Sequence, residues 1–162
     1  MNAVLTGVHH LKLWVSDLQR SRAWYERVLG LEHHISFQDD DGVIRGVSLL
    51  VPGAGFQIAL RENPALAAAL RDADPFALQV TRDGLDAWVA RLDELGVPHG
   101  PLIRASAGHA LGFTDPDGVQ IRLYAPDEEV HAAQVDAEGV YRSGPSDPPG
   151  PSDPPPAPDH RA

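Results

Sequence analysis

Apolar and polar residues alternate with a strand period and then a helix period along the first part of the chain, and the same succession occurs twice. Residues 8–15 alternate as a strand does, and a helical run follows that ends at Gly30. Residues 75–80 alternate again, before a second helical run that ends at Gly96. Each half closes on Gly-x-Gln-Ile-x-Leu, at residues 55–60 and 118–123, and the copies are offset by 65 positions at the first strand and 63 at the last. The pattern predicts two copies of one module of about 55 residues.

Capping signals predict where the helices begin. Ser16 followed by Gln19 is typical of a capping box, which would make Ser16 the N-cap of the first helix. The second module's helix is expected to begin at Asp83 and to stop at Gly96. Asn63, followed by proline, predicts a short helix that joins the two modules.

Each module has room for two further strands between its helix and its last strand. In the first, residues 32–37 and 43–51 flank the acidic segment 39–42 and predict a hairpin with a solvated turn tip. In the second, residues 115–118 form a turn before the last strand. This turn is not expected to bind calcium, because the other ligands of a calcium loop are missing.

Side chains alternate across a strand, so each predicted strand has two faces of different composition. The apolar set, expected to form the core together with Trp24 and Trp88 of the helices, is Leu11, Leu13, Val15, Phe56, Ile58, Leu60, Phe76, Leu78, Val80, Ile121 and Leu123. The opposite set is His10, Lys12, Trp14, Gln57, Ala59, Arg61, Pro75, Ala77, Gln79, Gln120, Arg122 and Tyr124. A solvent-exposed sheet face can have the same composition. We expect instead a ligand trough between two curved sheets, with no Asp or Glu on its face to neutralise Arg122.

Composition excludes several classes of function. The 162 residues are 43% hydrophobic, enough for one domain with a core, and contain no cysteine, which rules out disulfides and thiolate sites. The formal net charge of −10 argues against a nucleic-acid partner. There is no signal-like N-terminus and no apolar run of membrane-spanning length, so we expect a cytoplasmic protein with no membrane partner.

The composition changes after residue 126. We predict one domain over residues 1–126, with modules at about 7–62 and 74–125, and then an extension over 127–142. Residues 143–162 contain eight prolines and no large apolar side chain, so this tail is predicted to be extended and disordered.

Two motifs carry a resemblance to a known family. They are the stretch from His10 to Leu31, HLKLWVSDLQRSRAWYERVLGL, and the segment DPDGVQIRLY that ends at Tyr124. Together they resemble the vicinal oxygen chelate superfamily, which includes glyoxalases, bleomycin-resistance proteins and extradiol dioxygenases. The resemblance covers residues 7–125. It implies an α+β fold in which two βαβββ modules form a U-shaped, mostly antiparallel sheet around a central cavity with the helices outside, and it implies a homodimer.

The resemblance also locates the metal-ligand positions of the family. Metal-using members have His, Glu, His and Glu there, and the matching residues in this chain are His10, Ala59, Pro75 and Arg122. Of these only His10 can bind a metal, because Ala and Pro offer no side-chain donor and a guanidinium repels a dication. We therefore expect neither a metal nor another cofactor. A displaced site would have to use Gln57, Gln79 or His109, and carboxamides are weak ligands for transition metals.

The expected chemistry rests on His10 and Arg122 as catalytic candidates. Arg122, with Lys12 and Arg61 nearby, is suited to hold a carboxylate, phenolate or enolate, although pairing with an acid would make it structural. His10 is suited to act as an acid or base, although a neighbouring backbone group could satisfy it instead. The other candidate ligand-binding residues are Trp14, Gln57, Gln79, Gln120, Tyr124 and His109, the last of which is expected near the mouth of the trough in a loop over residues 105–110.

Three functions are compatible with these residues, and the sequence does not decide whether the chain is an enzyme. The first is a metal-independent isomerase, lyase or cyclase that acts on a small anionic or oxygen-rich organic molecule. The second is a non-catalytic protein that sequesters an antibiotic-like molecule, as bleomycin-resistance relatives do. The third is a metal-dependent lyase or dioxygenase with a displaced metal site.

Overall fold

A computed structural model describes residues 3–105 and 107–127. Its elements are β1 His10–Val15, α1 Leu18–Leu29, β2 Glu32–Gln38, β3 Ile44–Leu50, β4 Gln57–Glu62, α2 Pro64–Ala69, β5 Ala77–Gln79, α3 Arg82–Glu94, β6 Ile103–Ala105, β7 Gly108–Thr114 and β8 Gln120–Pro126. The order β-α-β-β-β occurs twice, with α2 as the connection, as the repeated pattern predicts. The Pro-rich tail and all but the first residue of the predicted extension lie outside the described residues.

The strands form two four-stranded mixed sheets. Sheet A has the order β1-β4-β3-β2 and sheet B the order β5-β8-β7-β6. In each sheet the first strand of the module runs parallel to the last, and the other neighbours are antiparallel. The predicted α+β class with paired βαβββ modules is confirmed. Among the described residues no strand of sheet A pairs with a strand of sheet B, so the expected U-shaped sheet is divided in two within one chain.

One hydrophobic core serves both modules. Leu13, Leu60, Leu111 and Leu123 are buried in a single cluster, and Tyr25 of α1 belongs to it. The predicted apolar strand faces pack there with the exception of Leu11, which is half-buried and outside the cluster, and the opposite faces are left to the polar set. The two helix tryptophans are partly buried against the same cluster, as expected. No helix in the described part of the chain is both long and apolar enough to span a membrane.

The N-cap of α1 is Asp17 and not Ser16. The Asp17 side chain accepts a hydrogen bond from the backbone N–H of Arg20 at 2.9 Å. Ser16 donates instead to Asp117, from its backbone N–H at 3.0 Å and from its hydroxyl at 2.5 Å. The capping-box prediction is wrong here because Ser and Asp cap equally well, and the distant partner of Ser16 is invisible in the local sequence.

The caps of the other two helices differ in how well they were predicted. Asn63 caps α2 by accepting from the N–H of Leu66 at 3.1 Å, as expected. Helix α3 begins at Arg82, one residue before the predicted start, because the Thr81 hydroxyl accepts from the N–H of Gly84 at 3.1 Å.

The acidic turn of module two, residues 115–118, fastens α1 to the second module. Tyr25 donates a hydrogen bond to Asp115 at 2.9 Å, and Arg20 forms an ion pair with Asp117 at 2.6 Å. Asp115 also accepts from the N–H groups of Asp117 and Val119, both at 2.9 Å. Both carboxylates are buried. We call these contacts, together with the two hydrogen bonds from Ser16 to Asp117, the module clamp, and they hold the start of α1, directly after β1, against the second module.

Candidate functional site

The face of sheet A that points away from the core is organised in three rows, set by the strand register. The first row is His10, Gln57, Leu50 and Glu32; the second is Lys12, Ala59, Ser48 and Ile35; the third is Trp14, Arg61, Gly46 and Phe37. We call these twelve residues face A. The alternate residues of the same strands, such as Leu13, Ile58 and Val47, are buried in the core. The register therefore brings together on one face all the predicted site residues of module one.

Small side chains make the middle of face A a shallow floor. Ala59 and Ser48 are buried, and they lie between larger residues in the first and third rows. The Ser48 hydroxyl donates to the Gln57 side-chain oxygen, which fixes the orientation of that carboxamide. A depression of about 320 Å³ adjoins the first-row end and is lined by Glu32, Leu50 and Gln57, together with Val51, Pro52, Gly53, Gly55 and Phe56. A small ligand therefore has both a floor and a recess on this face.

His10 stands at the exposed start of β1. Its Nδ1 lies 3.0 Å from Nδ1 of His9, and the two rings meet edge to face with their centroids 5.3 Å apart. Among the described residues, no carboxylate is bonded to His10 to orient its ring. The imidazole is accessible to a ligand, but none of the described carboxylates holds it in a fixed orientation for acid–base catalysis.

The corresponding surface of sheet B is face B. Strand register places Arg122 between Ala77 and Gly112, and the next row contains Gln79, Tyr124, Ala110 and Ile103. Gln120, the first residue of β8, pairs with Thr114, the last residue of β7. The Tyr124 hydroxyl accepts a hydrogen bond from the backbone N–H of Ala107 at 3.2 Å. The predicted polar residues of β5 and β8 thus share one face, whose floor is made of alanine and glycine.

Arg122 is not free of acidic neighbours. It forms an ion pair with Asp74, and the two side chains are 37% and 34% exposed. The expectation that no carboxylate neutralises Arg122 is wrong because Asp74 lies before β5, where strand alternation does not determine the direction of a side chain. A pair this exposed typically contributes only ~0–1 kcal/mol to stability, so a ligand carboxylate can compete for the guanidinium.

His109 lies on the opposite side of sheet B from Arg122. It pairs in register with Ala125 and Arg104, and it shares its face with the buried Leu111. The sequence suggested a loop over residues 105–110, whereas β7 already begins at Gly108. Once that residue is in the strand, alternation places His109 on the face opposite to Arg122, so the structure does not bring His109 together with the other predicted site residues of sheet B.

A larger cleft lies elsewhere, at the junction of the modules. It has a volume of about 600 Å³ and is lined by Arg20, Ala23, Trp24, Arg27, Gly96, Val97, Pro98, Thr114, Asp115 and Pro116. None of the predicted site residues lines it, and Arg20 is already engaged by Asp117. Size alone therefore does not make this cleft the functional site, and face A has the stronger chemistry.

The family's metal positions do not fit a divalent cation in this chain. Ala59 and Pro75 have no side-chain donor, and Arg122 brings a guanidinium that is paired with Asp74. Within residues 3–105 and 107–127, no group of three or more His, Cys, Asp or Glu side chains is placed to hold a metal ion.

The sequence profile of the Glyoxalase/Bleomycin resistance protein/Dioxygenase superfamily matches residues 7–123. The chain belongs to this superfamily. Its match to the superfamily spans both modules and includes His10 and Arg122. One relative is MhqA of Bacillus subtilis (strain 168), whose name is that of a ring-cleaving dioxygenase. The two are 23% identical over 141 residues, which is 76% of this chain but only 42% of MhqA. The chain thus spans less than half the length of that superfamily relative.

Two solved structures of the superfamily illustrate the range of its members. The fosfomycin resistance protein FosX from Listeria monocytogenes matches with a TM-score of 0.65 and 24% identity, over 79% of this chain and 98% of FosX. At that identity the likeness establishes the fold alone. TnmS3, an antibiotic binding protein from Streptomyces sp. CB03234, matches with a TM-score of 0.65 and 25% identity, over 77% of this chain and 99% of TnmS3.

Proposed function

We propose that this superfamily member binds a small anionic organic molecule on face A and that it does so without a divalent metal. The observation that supports this function is the charge on the face. Lys12, Arg61 and the imidazole of His10 surround an uncharged floor, and Glu32 at the far corner of the edge strand is the single acidic residue of the twelve. Lys12 and Arg61 against the single carboxylate of Glu32 give this face a positive excess in a chain of net charge −10, and that excess attracts anions to it.

The geometry supports ligand binding better than it supports catalysis. Neither Lys12 nor Arg61 is paired with a carboxylate among the described residues, whereas the ring of His10 has only His9 as a partner. TnmS3 is an antibiotic binding protein, and its likeness supports a binding role for a chain of this fold. Trp14 and Phe37 at the third row supply the aromatic surface that organic ligands favour.

A metal-independent isomerase, lyase or cyclase is the second candidate function. It would use His10 as the acid or base and Arg122 as the partner of an oxyanion. The observation that favours it is the open space beside Arg122, which stands between Ala77 and Gly112 and is held only by a half-exposed ion pair. This function requires one ligand to reach residues of both sheets.

We also propose that the working assembly is a homodimer. In a single chain, face A is open to solvent: His10 and Lys12 are exposed, and the apolar Ile35 and Phe37 are 43% and 37% exposed. Covering these side chains with a second copy would both bury apolar area and enclose the ligand. Light scattering coupled to size-exclusion chromatography is expected to give the mass of two chains, and a monomeric mass at micromolar concentration would contradict this assembly.

The binding function is tested with a panel of small carboxylates, phenolates and phosphonates, each beside its neutral amide, ether or alcohol. In the presence of EDTA, thermal unfolding is expected to shift upward with the anions and not with their neutral partners. Lys12→Ala should reduce the shift. Arg104→Ala is the matched control, because Arg104 is an exposed cation on the opposite face of sheet B. Equal shifts from neutral compounds, or loss of the shift on adding EDTA, would contradict the proposal.

A separate measurement distinguishes a binder from an enzyme. His10→Ala is expected to retain affinity for the best anion of the panel, because Lys12 and Arg61 remain. If the chain is an enzyme, the same variant loses turnover far more than affinity. Product formation by the wild type that disappears in His10→Ala would favour the second candidate.

A further inference from the structure

Arg61 is the half-buried arginine of the described residues that has no acidic partner. Among the arginines that the structure describes, three are half-buried: Arg22, Arg61 and Arg122. Arg22 is paired with Glu26 and Arg122 with Asp74. Within residues 3–105 and 107–127, Arg61 makes no ion pair and no side-chain hydrogen bond, and its described contact is with an aromatic ring. A half-buried guanidinium with its N–H donors unmatched by protein acceptors is available to a ligand.

The acidic residue next in sequence cannot serve Arg61, because it lies on the other side of the sheet. Glu62 accepts from the backbone N–H of Leu18 at 3.1 Å and pairs with Arg45 at 3.0 Å. Arg45 forms a second ion pair, with Asp39, at 2.8 Å. Strand alternation therefore gives one arginine two carboxylates and leaves Arg61 with none.

Gly46 gives Arg61 the space in which it lies. The two residues are directly opposite in the register of β3 and β4. A Cβ added at Gly46 would overlap Nη1 of Arg61, and it would lie 2.7 Å from Cδ and 2.9 Å from Cζ. The side chain of Arg61 thus crosses the sheet through the place of a missing side chain, and reaches Phe37 on the far side of Gly46, where Cζ is 3.9 Å from the ring centroid.

Stacking on Phe37 orients the guanidinium and leaves its edges open. A cation over a ring face is attracted by the ring quadrupole, and this contact occupies a face of the guanidinium and none of its N–H groups. A carboxylate that pairs with such a fork through two parallel N–H···O bonds lies in the guanidinium plane. If that carboxylate is conjugated with a ring, the ring shares the plane as well.

The floor of face A has room for such a ring. The first and third rows are four residues apart along β1 and β4, roughly 13 Å at the usual rise of a strand, and side chains from both rows narrow that span. Between them the floor consists of Ala59 and Ser48, which rise little above the backbone. The space is about one ring wide and is bordered by Arg61.

We propose that Arg61, held in place by Gly46 and Phe37, is the receptor for the carboxylate of a planar, conjugated organic acid. This inference rests on the proposed function and names its ligand class. It also moves the anion-binding role from Arg122, the residue favoured by the sequence, to an arginine of module one that has no competing carboxylate among the described residues.

The second module provides a matched control. Gly112 is opposite Arg122 in the register of β7 and β8, just as Gly46 is opposite Arg61. A Cβ added at Gly112 would have no atom within 4 Å. The same substitution at the two positions is therefore expected to move one arginine and leave the other where it is.

The experiment is an NMR titration of the full chain with benzoate, with benzamide as its neutral counterpart and cyclohexanecarboxylate as its non-planar counterpart. Benzoate is expected to bind at least about tenfold more tightly than benzamide and severalfold more tightly than cyclohexanecarboxylate. Gly46→Ala should weaken benzoate binding by about tenfold or more, while Gly112→Ala changes it by less than about twofold. Arg61→Ala and the double variant Gly46→Ala/Arg61→Ala should bind equally weakly, because both glycine and arginine act through one contact.

Several results would overturn the inference. Gly46→Ala that binds benzoate like the wild type would show that the position of Arg61 does not matter. Arg61→Lys keeps the charge but lacks the two parallel N–H donors, so it should lose about fivefold or more in affinity for benzoate. Wild-type affinity in that variant would exclude pairing of the carboxylate with the guanidinium fork. The same variant tests the inference if Gly46→Ala fails to fold. Equal binding of cyclohexanecarboxylate would remove the planar ligand class. If anions bind and only Lys12→Ala weakens them, this inference fails and the proposed function stands; if no anion binds, both fail.

Discussion

Tyr25 and Asp115 are 90 positions apart in the chain, and the tyrosine hydroxyl donates to the carboxylate at 2.9 Å. Both side chains are buried. Burial, followed by the charge of Asp115, raises the pKa of Tyr25 well above its ordinary value, and burial raises the pKa of Asp115 as well. The contact therefore joins the two modules through a polar pair that has little access to water.

Tyr25→Phe is expected to lower the free energy of unfolding by about 1–3 kcal/mol, because the buried carboxylate loses a donor that water cannot replace. Urea unfolding followed by circular dichroism measures the change. Tyr124→Phe serves as the control, since that hydroxyl is on the half-exposed face B, and its loss should cost less than about 1 kcal/mol. Equal losses in the two variants would show that the clamp is not specially stabilising.

Asp117 is expected to make stability depend on pH. Burial opposes ionisation, but the hydrogen bonds from Ser16 and the charge of Arg20 outweigh it and lower the pKa of Asp117 below its ordinary 3.8. The stability that ionised Asp117 supplies is then present above that value and is lost as the pH falls through the lowered pKa. Asp117→Asn should reduce the free energy of unfolding by about 1–3 kcal/mol at pH 7, and the difference from wild type should shrink in acid.

Asp115 acts in the opposite direction and in a different pH range. Its raised pKa means that the stability associated with its protonated form is fully present below 3.8 and is lost as the pH rises through the folded-state value. In Asp115→Asn, the free energy of unfolding should therefore fall less steeply as the pH rises just above 3.8. The loss of stability at lower pH that is due to Asp117 should remain. Unfolding curves at a series of pH values distinguish the contributions of Asp115 and Asp117. If the pH dependence of stability has one transition and either substitution removes it, the two carboxyl groups titrate as one.

Asp74→Asn is expected to raise the affinity of face B for small carboxylates by a few-fold, because it releases Arg122 from its intramolecular partner. Stability should change by less than about 1 kcal/mol, since the pair is exposed. The gain should be absent from Asp74→Asn/Arg122→Ala. A gain that persists in the double variant would assign the effect to general charge and not to Arg122.

Elemental analysis of gently purified protein is expected to find well below about one Zn, Fe, Mn or Ni per chain, because the residues at the family's ligand positions do not supply a donor set. Arg122→Glu would restore one carboxylate near the position of the family's last ligand and is expected to gain weak divalent-metal affinity together with His10. A stoichiometric metal that is retained in Arg122→Ala and lost in His10→Ala would contradict this expectation.

The fold was accessible from the sequence to the extent that periodic patterns determine it. Period-two alternation separated Leu13 from Trp14 and Leu123 from Arg122, and the structure has each pair on opposite faces. Periodicity of this kind is robust because burying the wrong face would cost many kcal/mol. The pairing of strands into two sheets, however, depends on contacts between distant segments that no local pattern encodes.

The candidate site was predicted less completely, for three physical reasons. Strand β7 begins at Gly108, within the predicted loop over residues 105–110, so strand alternation and not a loop conformation sets the direction of His109. The direction of Asp74, outside any strand, follows no period. Gly46 carried a usable signal, because an isolated glycine within an apolar strand often marks a close approach of another group, and here that group is Arg61.

The module clamp also has a consequence for the order in which the chain can complete its structure. Ser16, Arg20 and Tyr25 emerge early from the ribosome, whereas Asp115 and Asp117 follow about ninety to a hundred residues later. Contacts of such high sequence separation form late and slow folding. During synthesis, Ser16, Arg20 and Tyr25 therefore lack their carboxylate partners until almost the whole described chain has been made. The position of α1 becomes fixed only when the turn at residues 115–118 of the second module has formed.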